Sequence, residues 1–309
     1  AGIDQIDPDY YTSVVTAINA GIDMNMVPYD YAQFMDTMQE AVAQGDISME
    51  RIDEAVAQIL TVKMELGLFD QPYSNPDLLE RVGSAEHRAL AREAVAQSMV
   101  LLKNEGPAPL PLSPDIPAVY VAGSAADDIG IQSGGWTIEW QGSEGAITEG
   151  TTILEGIRSL VSPNTTVNYH PRAGFGELPE GETIICIAAV GEKPYAEGLG
   201  DVADPVLPVL DQRVVEQMRQ TCDQLTVVLV SGRPLIISEQ IDSWDAVVAA
   251  WLPGTEGLGV ADVLFGTRPF SGKLPYTWPR SANQLPFDFA TLDPSEPLFP
   301  FGFGLTADE

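Results

Sequence analysis

In the larger part of the chain, short and almost continuous apolar runs alternate with amphipathic segments. The runs that predict strands are Ala118–Ala122, Thr166–Tyr169, Thr183–Val190, Leu225–Val230 and Ala246–Trp251. Helices are predicted at Glu86–Ser98, Ile153–Leu160, Leu207–Thr221 and Gly257–Phe265. Strands without polar alternation are typical of a parallel sheet that is buried on both faces. Residues 86–309 are therefore predicted to be an α/β domain with a mostly parallel sheet.

The first 70 residues have a different pattern, with several helices and only one short strand. The predicted helices are Tyr11–Ala20, Tyr31–Ala43 and Met49–Leu66, and the strand is Gly21–Pro28. Ser48 is a suitable N-cap for the third helix and Gly67 a suitable stop. One strand cannot bury the faces of several helices, so residues 1–70 are expected to be the C-terminal end of an α/β barrel. A polar, proline-containing stretch predicts a linker over 71–85.

The acidic composition narrows the classes of partner. The 309 residues have a formal net charge of −30, and 45% of them are hydrophobic. Nucleic acid and anionic membrane surfaces would repel such a chain, so neither is expected as a partner. A neutral substrate fits best. No apolar run reaches the roughly 18 residues that a membrane span requires.

The few cysteines and histidines offer little chemistry. Cys186 and Cys222 are predicted to be small buried hydrophobic residues and not a disulfide. His87 and His170 have no partner at metal-ligand spacing, so neither a zinc site nor a Ser-His-Asp triad is expected.

Candidate chemistry lies where the predicted strands end. Glu192 follows the strand Thr183–Val190 directly, and the unusually long loop Gly123–Gly150 contains Trp136 and Trp140. Ligands of a parallel sheet bind beyond the carboxyl ends of its strands, so the glutamate and the tryptophans share one edge. A carboxyl group can protonate a glycosidic oxygen, and an indole can contact the apolar face of a sugar.

Two alternatives remain at this point. The tryptophans could fill a hydrophobic hole while Glu192 is an ordinary solvated residue. Other acids of the same loop could also replace Glu192, although they lie deeper in a glycine-rich acidic stretch: Glu197, Asp201 and Asp204.

Several ordered segments together resemble glycoside hydrolase family 3, in its β-glucosidase and β-D-glucan exohydrolase branch. The matching segments are Ala20–Pro28, Arg51–Asp70, Ala91–Asn104, Gly134–Gly142, Val190–Tyr195, Ser231–Pro234, Ala250–Gly257, Gly272–Trp278 and Phe301–Leu305. The resemblance implies a (β/α)₈ barrel, which residues 1–70 would finish, followed by an α/β sandwich formed by residues 86–309, with the active site in the crevice between them. It also implies a retaining mechanism.

The resemblance assigns roles to three residues of this chain. Glu192 is implied as the acid/base, Trp136 as one of two tryptophans that clamp a glucosyl unit, and Met26 as a residue near the inner sugar. The implied nucleophile is an aspartate in a Ser-Asp-Trp motif, expected immediately before Ala1; Asp4 and Asp7 are not substitutes for it. Where related chains often have Gly-Ser-His-Ala-Asp, residues 123–127 of this chain are Gly-Ser-Ala-Ala-Asp. Alanine therefore replaces the histidine after Ser124.

The resulting expectation is an exo-acting, retaining β-glucosidase or glucan glucohydrolase that acts on β-linked glucosides and oligoglucans. It needs no cofactor, works together with the N-terminal barrel segment of the same protein, and is expected to be periplasmic or secreted. The alternatives are a non-catalytic carbohydrate-binding module and a relative that acts on β-xylosides or N-acetylglucosaminides.

Overall fold

The computed structural model describes residues 8–293 and 296–306 and divides the chain into two units, Ala1–Glu80 and Arg81–Glu309. The division falls within the segment 71–85 that the sequence analysis assigned to a linker.

Over residues 8–80 the first unit contains the α-helices α1 (Tyr10–Asn19), α2 (Tyr31–Gln44) and α3 (Met49–Glu65), and a short 3-10 helix begins at Pro76. Ser48 caps α3 as predicted, since its hydroxyl accepts a hydrogen bond from the N–H of Arg51 at 3.1 Å. A small core holds the helices together and consists of Val14, Ile18, Ala41 and Ile47.

The strand predicted at Gly21–Pro28 was wrong. The segment is an irregular connection between α1 and α2, because no described segment of this unit pairs with it and an isolated strand leaves its backbone groups without partners. Asp23 holds the connection against α3 through an ion pair of 2.6 Å with Arg51.

The second unit is built on a six-stranded sheet. Its strands are β1 (Val100–Asn104), β2 (Ala118–Ala122), β3 (Thr166–Tyr169), β4 (Ile185–Gly191), β5 (Gln224–Val230) and β6 (Ala246–Trp251). They lie in the order β1-β6-β5-β4-β2-β3, and every neighbouring pair is parallel except β1 with β6. The predicted mostly parallel sheet is confirmed. Strand β1 was missed because its short apolar run follows a helix directly.

Helices cover both faces of this sheet. The helices are α4 (Ala85–Ser98), α5 (Ile129–Ser133), α6 (Ile153–Leu160), α7 (Val209–Thr221) and α8 (Gly257–Leu264). Side chains of α4, α5, α6 and α8 share a core with one face, whereas α7 packs on the other. Successive residues of β4 alternate between the two cores, as the pleat requires.

A partly buried ion pair fastens α4 to α8. The guanidinium of Arg92 donates to both oxygens of Asp262 at 2.6 Å, and the Asp262 side chain is completely buried. Such a bidentate contact offsets much of the cost of burying the carboxylate.

The prediction that Cys186 and Cys222 are unpaired was wrong, because they form a disulfide. Both are buried, as predicted. Cys186 lies on the face of β4 that α7 covers, and Cys222 directly follows α7. Their proximity therefore results from the packing of a helix on a sheet, which the spacing of 36 residues does not reveal.

No described helix combines the length and the apolar character that crossing a bilayer requires. Residues 8–293 and 296–306 also contain no group of three or more His, Cys, Asp or Glu side chains that could hold a metal ion.

Candidate active site

Glu192 lies at the carboxyl end of β4, in the middle of the sheet. Its N–H donates to the carbonyl oxygen of Val230 at 3.1 Å, which extends the pairing of β4 with β5 by one residue. The next loop along the sheet begins at Ser231 and carries Arg233. Parallel pairing of β4 and β5 thus brings Arg233 beside Glu192, although the two residues are 41 positions apart.

Both oxygens of the Glu192 carboxyl group accept hydrogen bonds. Oε1 accepts from Nε of Arg233 at 3.1 Å and from Nη2 at 2.5 Å, while Oε2 accepts from the hydroxyl of Tyr195 at 3.0 Å. The side chain of Glu192 is only 12% exposed and that of Arg233 is 25% exposed. Charge-assisted bonds in such a partly buried position hold the carboxyl group in one orientation.

Arg233 also organises the surroundings of the carboxyl group. Its Nη1 donates to the carbonyl oxygen of Gly200 at 2.5 Å, and its guanidinium lies 4.6 Å from the centre of the Tyr195 ring. Burial raises the pKa of Tyr195 to about 12, and the negative charge of Glu192 and the hydrogen bond to it add to that shift. Like an ordinary tyrosine, Tyr195 is protonated at neutral pH, and its hydroxyl donates to Glu192.

The sequence analysis did not assign a role to Arg233 or Tyr195. Both lie in segments that it had singled out for the family resemblance, Ser231–Pro234 and Val190–Tyr195. Arg233 could have been found from its position. It is a basic residue just beyond the end of one predicted strand, and Glu192 follows the end of another, so both lie at the same edge of a parallel sheet.

The tryptophan loop presents an apolar surface. Trp136 is 69% exposed and Trp140 is 53% exposed, and their ring centres lie 6.2 Å apart. The N–H of Trp136 donates to the carbonyl oxygen of Trp140 at 3.0 Å, and Ile138 at the tip is also exposed. Neither indole fills a hydrophobic hole within this unit. An exposed apolar cluster of this kind is typical of a surface that contacts a ligand or another part of a protein.

The backbone of this loop is unusual. Trp136 and Ile138 have φ values of 61° and 64°, a region that residues with a Cβ rarely adopt. Such conformations occur most often where function requires them.

The tryptophan loop packs directly against the loop that starts with Glu192. A Cβ at Gly135 would overlap the carbonyl oxygen of Tyr195, so only glycine permits this approach. The side-chain oxygen of Gln141 accepts a hydrogen bond from the N–H of Ala196 at 2.9 Å. The structure thus brings together the glutamate and the tryptophan loop.

A cavity of about 30 Å³ lies between these two loops and is lined in part by Gly135, Glu192 and Leu252. This volume suffices for about one water molecule. A sugar ring that meets Glu192 would therefore lie over the surface of the loops and not inside the cavity.

The other candidates differ from Glu192 in their surroundings. Glu197, Asp201 and Asp204 are exposed, and within the part of the chain that the structure describes their side chains have no hydrogen bond or ion pair. Met26 belongs to the first unit, where its side chain is 93% exposed. Asp4 and Asp7 lie outside the described residues.

Comparison with known families identifies the fold. Residues 99–307 match the sequence model of the glycosyl hydrolase family 3 C-terminal domain, and residues 4–62 match that of the family's N terminal domain. The chain belongs to glycosyl hydrolase family 3.

Among curated members of glycosyl hydrolase family 3, the chain is similar to a lysosomal beta glucosidase of Dictyostelium discoideum. The two are 32% identical over 95% of this chain and 38% of the relative. A periplasmic beta-glucosidase of Salmonella typhimurium is 28% identical over 97% of this chain and 45% of the relative. A beta-xylosidase of Formosa agariphila is 28% identical over 95% and 45%, respectively. The chain therefore spans less than half the length of these relatives.

Solved structures of the family agree with this assignment. An exo-1,3/1,4-beta-glucanase from a Pseudoalteromonas species superposes with a TM-score of 0.83 at 35% identity, covering 96% of this chain and 38% of that one. A beta-glucosidase of Listeria innocua in complex with glucose gives a TM-score of 0.76 at 26% identity, covering 95% and 43%.

Proposed function

We propose that the protein containing this chain is an exo-acting, retaining β-glucosidase or glucan glucohydrolase, and that Glu192 is its acid/base. The observation that carries the proposal is the carboxyl group of Glu192, which Arg233 and Tyr195 hold at a strand end beside the loop that carries the exposed tryptophans. The names of the relatives support a glycosidase, and the glucanase structure supports β-glucans as a substrate class.

In this mechanism Glu192 acts twice. It first donates a proton to the leaving glycosidic oxygen while a nucleophile attacks C1, and it then removes a proton from the water that releases the sugar. Retention requires a second carboxyl group about 5–5.5 Å away. The family resemblance assigns that role to a barrel aspartate of the full-length protein. Arg233 and Tyr195 keep the Glu192 carboxyl group oriented in both steps.

Binding of the sugar is assigned to exposed apolar side chains. Trp136 would stack on a glucosyl unit, and Met26 would contribute to an inner sugar site. A neutral sugar suits a chain of net charge −30, since it is not repelled.

A periplasmic or secreted location is part of the proposal. The Salmonella relative is named periplasmic. The disulfide between Cys186 and Cys222 supports the same location, because disulfides persist in oxidising compartments.

Replacement of Glu192 by glutamine in the full-length protein tests the proposal. Glu192→Gln keeps the shape of the side chain but removes proton transfer, so turnover of glucosides with poor leaving groups should fall by about 10²- to 10⁴-fold. A dinitrophenyl glucoside needs no proton and should still give a burst, followed by slow hydrolysis. Azide should relieve that slow step because it attacks the intermediate without a base.

Glu197→Gln is the matched control, since Glu197 lies in the same loop but is exposed. It should show neither the leaving-group dependence nor the azide rescue. The assignment fails if Glu197→Gln gives the burst and Glu192→Gln behaves like the wild type.

A β-xylosidase is the second candidate, because the Formosa relative matches almost the whole chain. Comparing kcat/KM for aryl β-glucosides and aryl β-xylosides distinguishes the two. A non-catalytic binding module would turn over neither substrate but would still bind oligosaccharides.

A further inference from the structure

A second carboxylate, Asp211, is buried next to the end of β4 and is not explained by the proposed mechanism. It belongs to the first turn of α7, and the residue is only 3% exposed. Its Oδ2 accepts a hydrogen bond from Oγ of Ser124 at 2.6 Å and another from the N–H of Gly191 at 3.1 Å. Its Oδ1 accepts from the N–H of Ser124 at 3.3 Å. Asp211 thus joins the carboxyl ends of the adjacent strands β2 and β4.

No positively charged partner explains why the carboxylate of Asp211 is buried. Neither of its oxygens has a Lys or Arg nitrogen within salt-bridge distance among the described residues. Burial raises the pKa of Asp211, and only neutral donors and the start of α7 counteract this cost. A desolvated carboxylate beside a candidate active site is a candidate for a functional residue.

The backbone that Asp211 contacts leads directly into Glu192. Gly191 precedes Glu192, and a Cβ at Gly191 would overlap the carbonyl oxygen of Val230. Gly191 is therefore confined between β5 on one side and the carboxylate of Asp211 on the other. Arg233 and Tyr195 fix the side chain of Glu192, whereas Asp211 fixes the main chain from which that side chain extends.

We propose that Asp211 is a positioning residue for the acid/base Glu192, acting through the N–H of Gly191. This inference rests on the proposed role of Glu192. Without the Asp211 anchor, the end of β4 moves relative to the scissile bond and proton donation becomes inefficient. A misplacement of about 1 Å can reduce a reaction rate by about 10²-fold.

The test uses Asp211→Asn in the full-length protein and a series of aryl β-glucosides whose leaving groups differ in acidity. The value of kcat/KM reports the first chemical step. It should fall by about 10- to 100-fold for poor leaving groups. It should change by less than about threefold for a dinitrophenyl leaving group, which needs little proton donation. The plot of log kcat/KM against leaving-group pKa should become steeper.

Asp262→Asn is the matched control, because Asp262 is also a buried carboxylate but is paired with Arg92 between α4 and α8. It should lower the melting temperature without changing the slope of that plot. If Asp211→Asn also leaves the slope unchanged, Asp211 is only structural and the proposal is wrong. If Glu192→Gln itself shows no leaving-group dependence, the proposed function has failed instead.

Should Asp211→Asn not fold, Asp211→Glu is the alternative variant. It keeps the charge and the acceptor atoms but displaces them by one methylene group. The same steeper slope is expected, and wild-type kcat/KM for poor leaving groups would overturn the proposal.

Discussion

The contact between Arg233 and Glu192 allows a quantitative test of how tightly the candidate acid/base is held. The perturbation is Arg233→Met, which keeps an unbranched apolar stem and removes the guanidinium group. It removes two hydrogen bonds to Oε1 of Glu192 and the bond to the carbonyl oxygen of Gly200. Among the described residues, the Glu192 carboxylate then keeps only the hydroxyl of Tyr195 as a hydrogen-bond partner.

The expected decrease in the free energy of unfolding lies between two limits. Removing one partner of a fully buried ion pair costs about 3–5 kcal/mol, whereas an exposed pair contributes about 0–1 kcal/mol. Glu192 is 12% exposed and Arg233 is 25% exposed, which is closer to the buried case. We therefore expect Arg233→Met to lower the free energy of unfolding by about 2–3 kcal/mol.

A double-mutant cycle separates the ion pair from the other contacts of Arg233. In the Glu192→Gln background Arg233→Met leaves no carboxylate without its partner, so it should cost only about 1 kcal/mol and the coupling energy should be about 1–2 kcal/mol. The assay is equilibrium urea unfolding of the full-length proteins, followed by tryptophan fluorescence and circular dichroism. A coupling energy below about 0.5 kcal/mol would refute the reasoning.

Three further predictions concern other parts of the second unit. Trp136→Ala should weaken oligosaccharide binding by about 1 kcal/mol at an unchanged melting temperature, because the ring is exposed. Calorimetric titration checks this, and unchanged affinity with a lower melting temperature would contradict it. Replacing Cys186 and Cys222 together by alanine should cost about 3–4 kcal/mol of stability, given a separation of 36 residues. Thermal unfolding with and without reductant measures it, and equal stability would contradict it. Tyr195 has a raised pKa of about 12, so the folded state binds its proton more tightly than the unfolded state. Stability should therefore fall as the pH rises from about 10 to 12. Tyr195→Phe should remove that part of the pH dependence of stability. If the stability of this variant depends on pH as the wild type's does, the prediction is wrong.

The pattern of apolar and polar residues along the chain was sufficient to predict most strands of the sheet. The limits of β2, β3 and β6 agree with the predicted runs. Short runs bounded by turn residues are too short for a typical helix, so their length favoured strands. The same reasoning failed for Gly21–Pro28, where the apolar residues are present but no described segment provides a pairing strand. A strand depends on its neighbour, and periodicity carries no information about neighbours.

The sequence by itself also placed Glu192 and the tryptophan loop at one edge of the sheet, since the carboxyl ends of parallel strands share an edge. Only the tertiary structure decided what surrounds them. The contacts of Glu192 with Arg233, of Asp211 with Gly191 and of Cys186 with Cys222 join residues that are 20 to 41 positions apart. Such contacts depend on strand order and on which face a helix covers, and neither is encoded in the alternation of apolar and polar residues along a single segment.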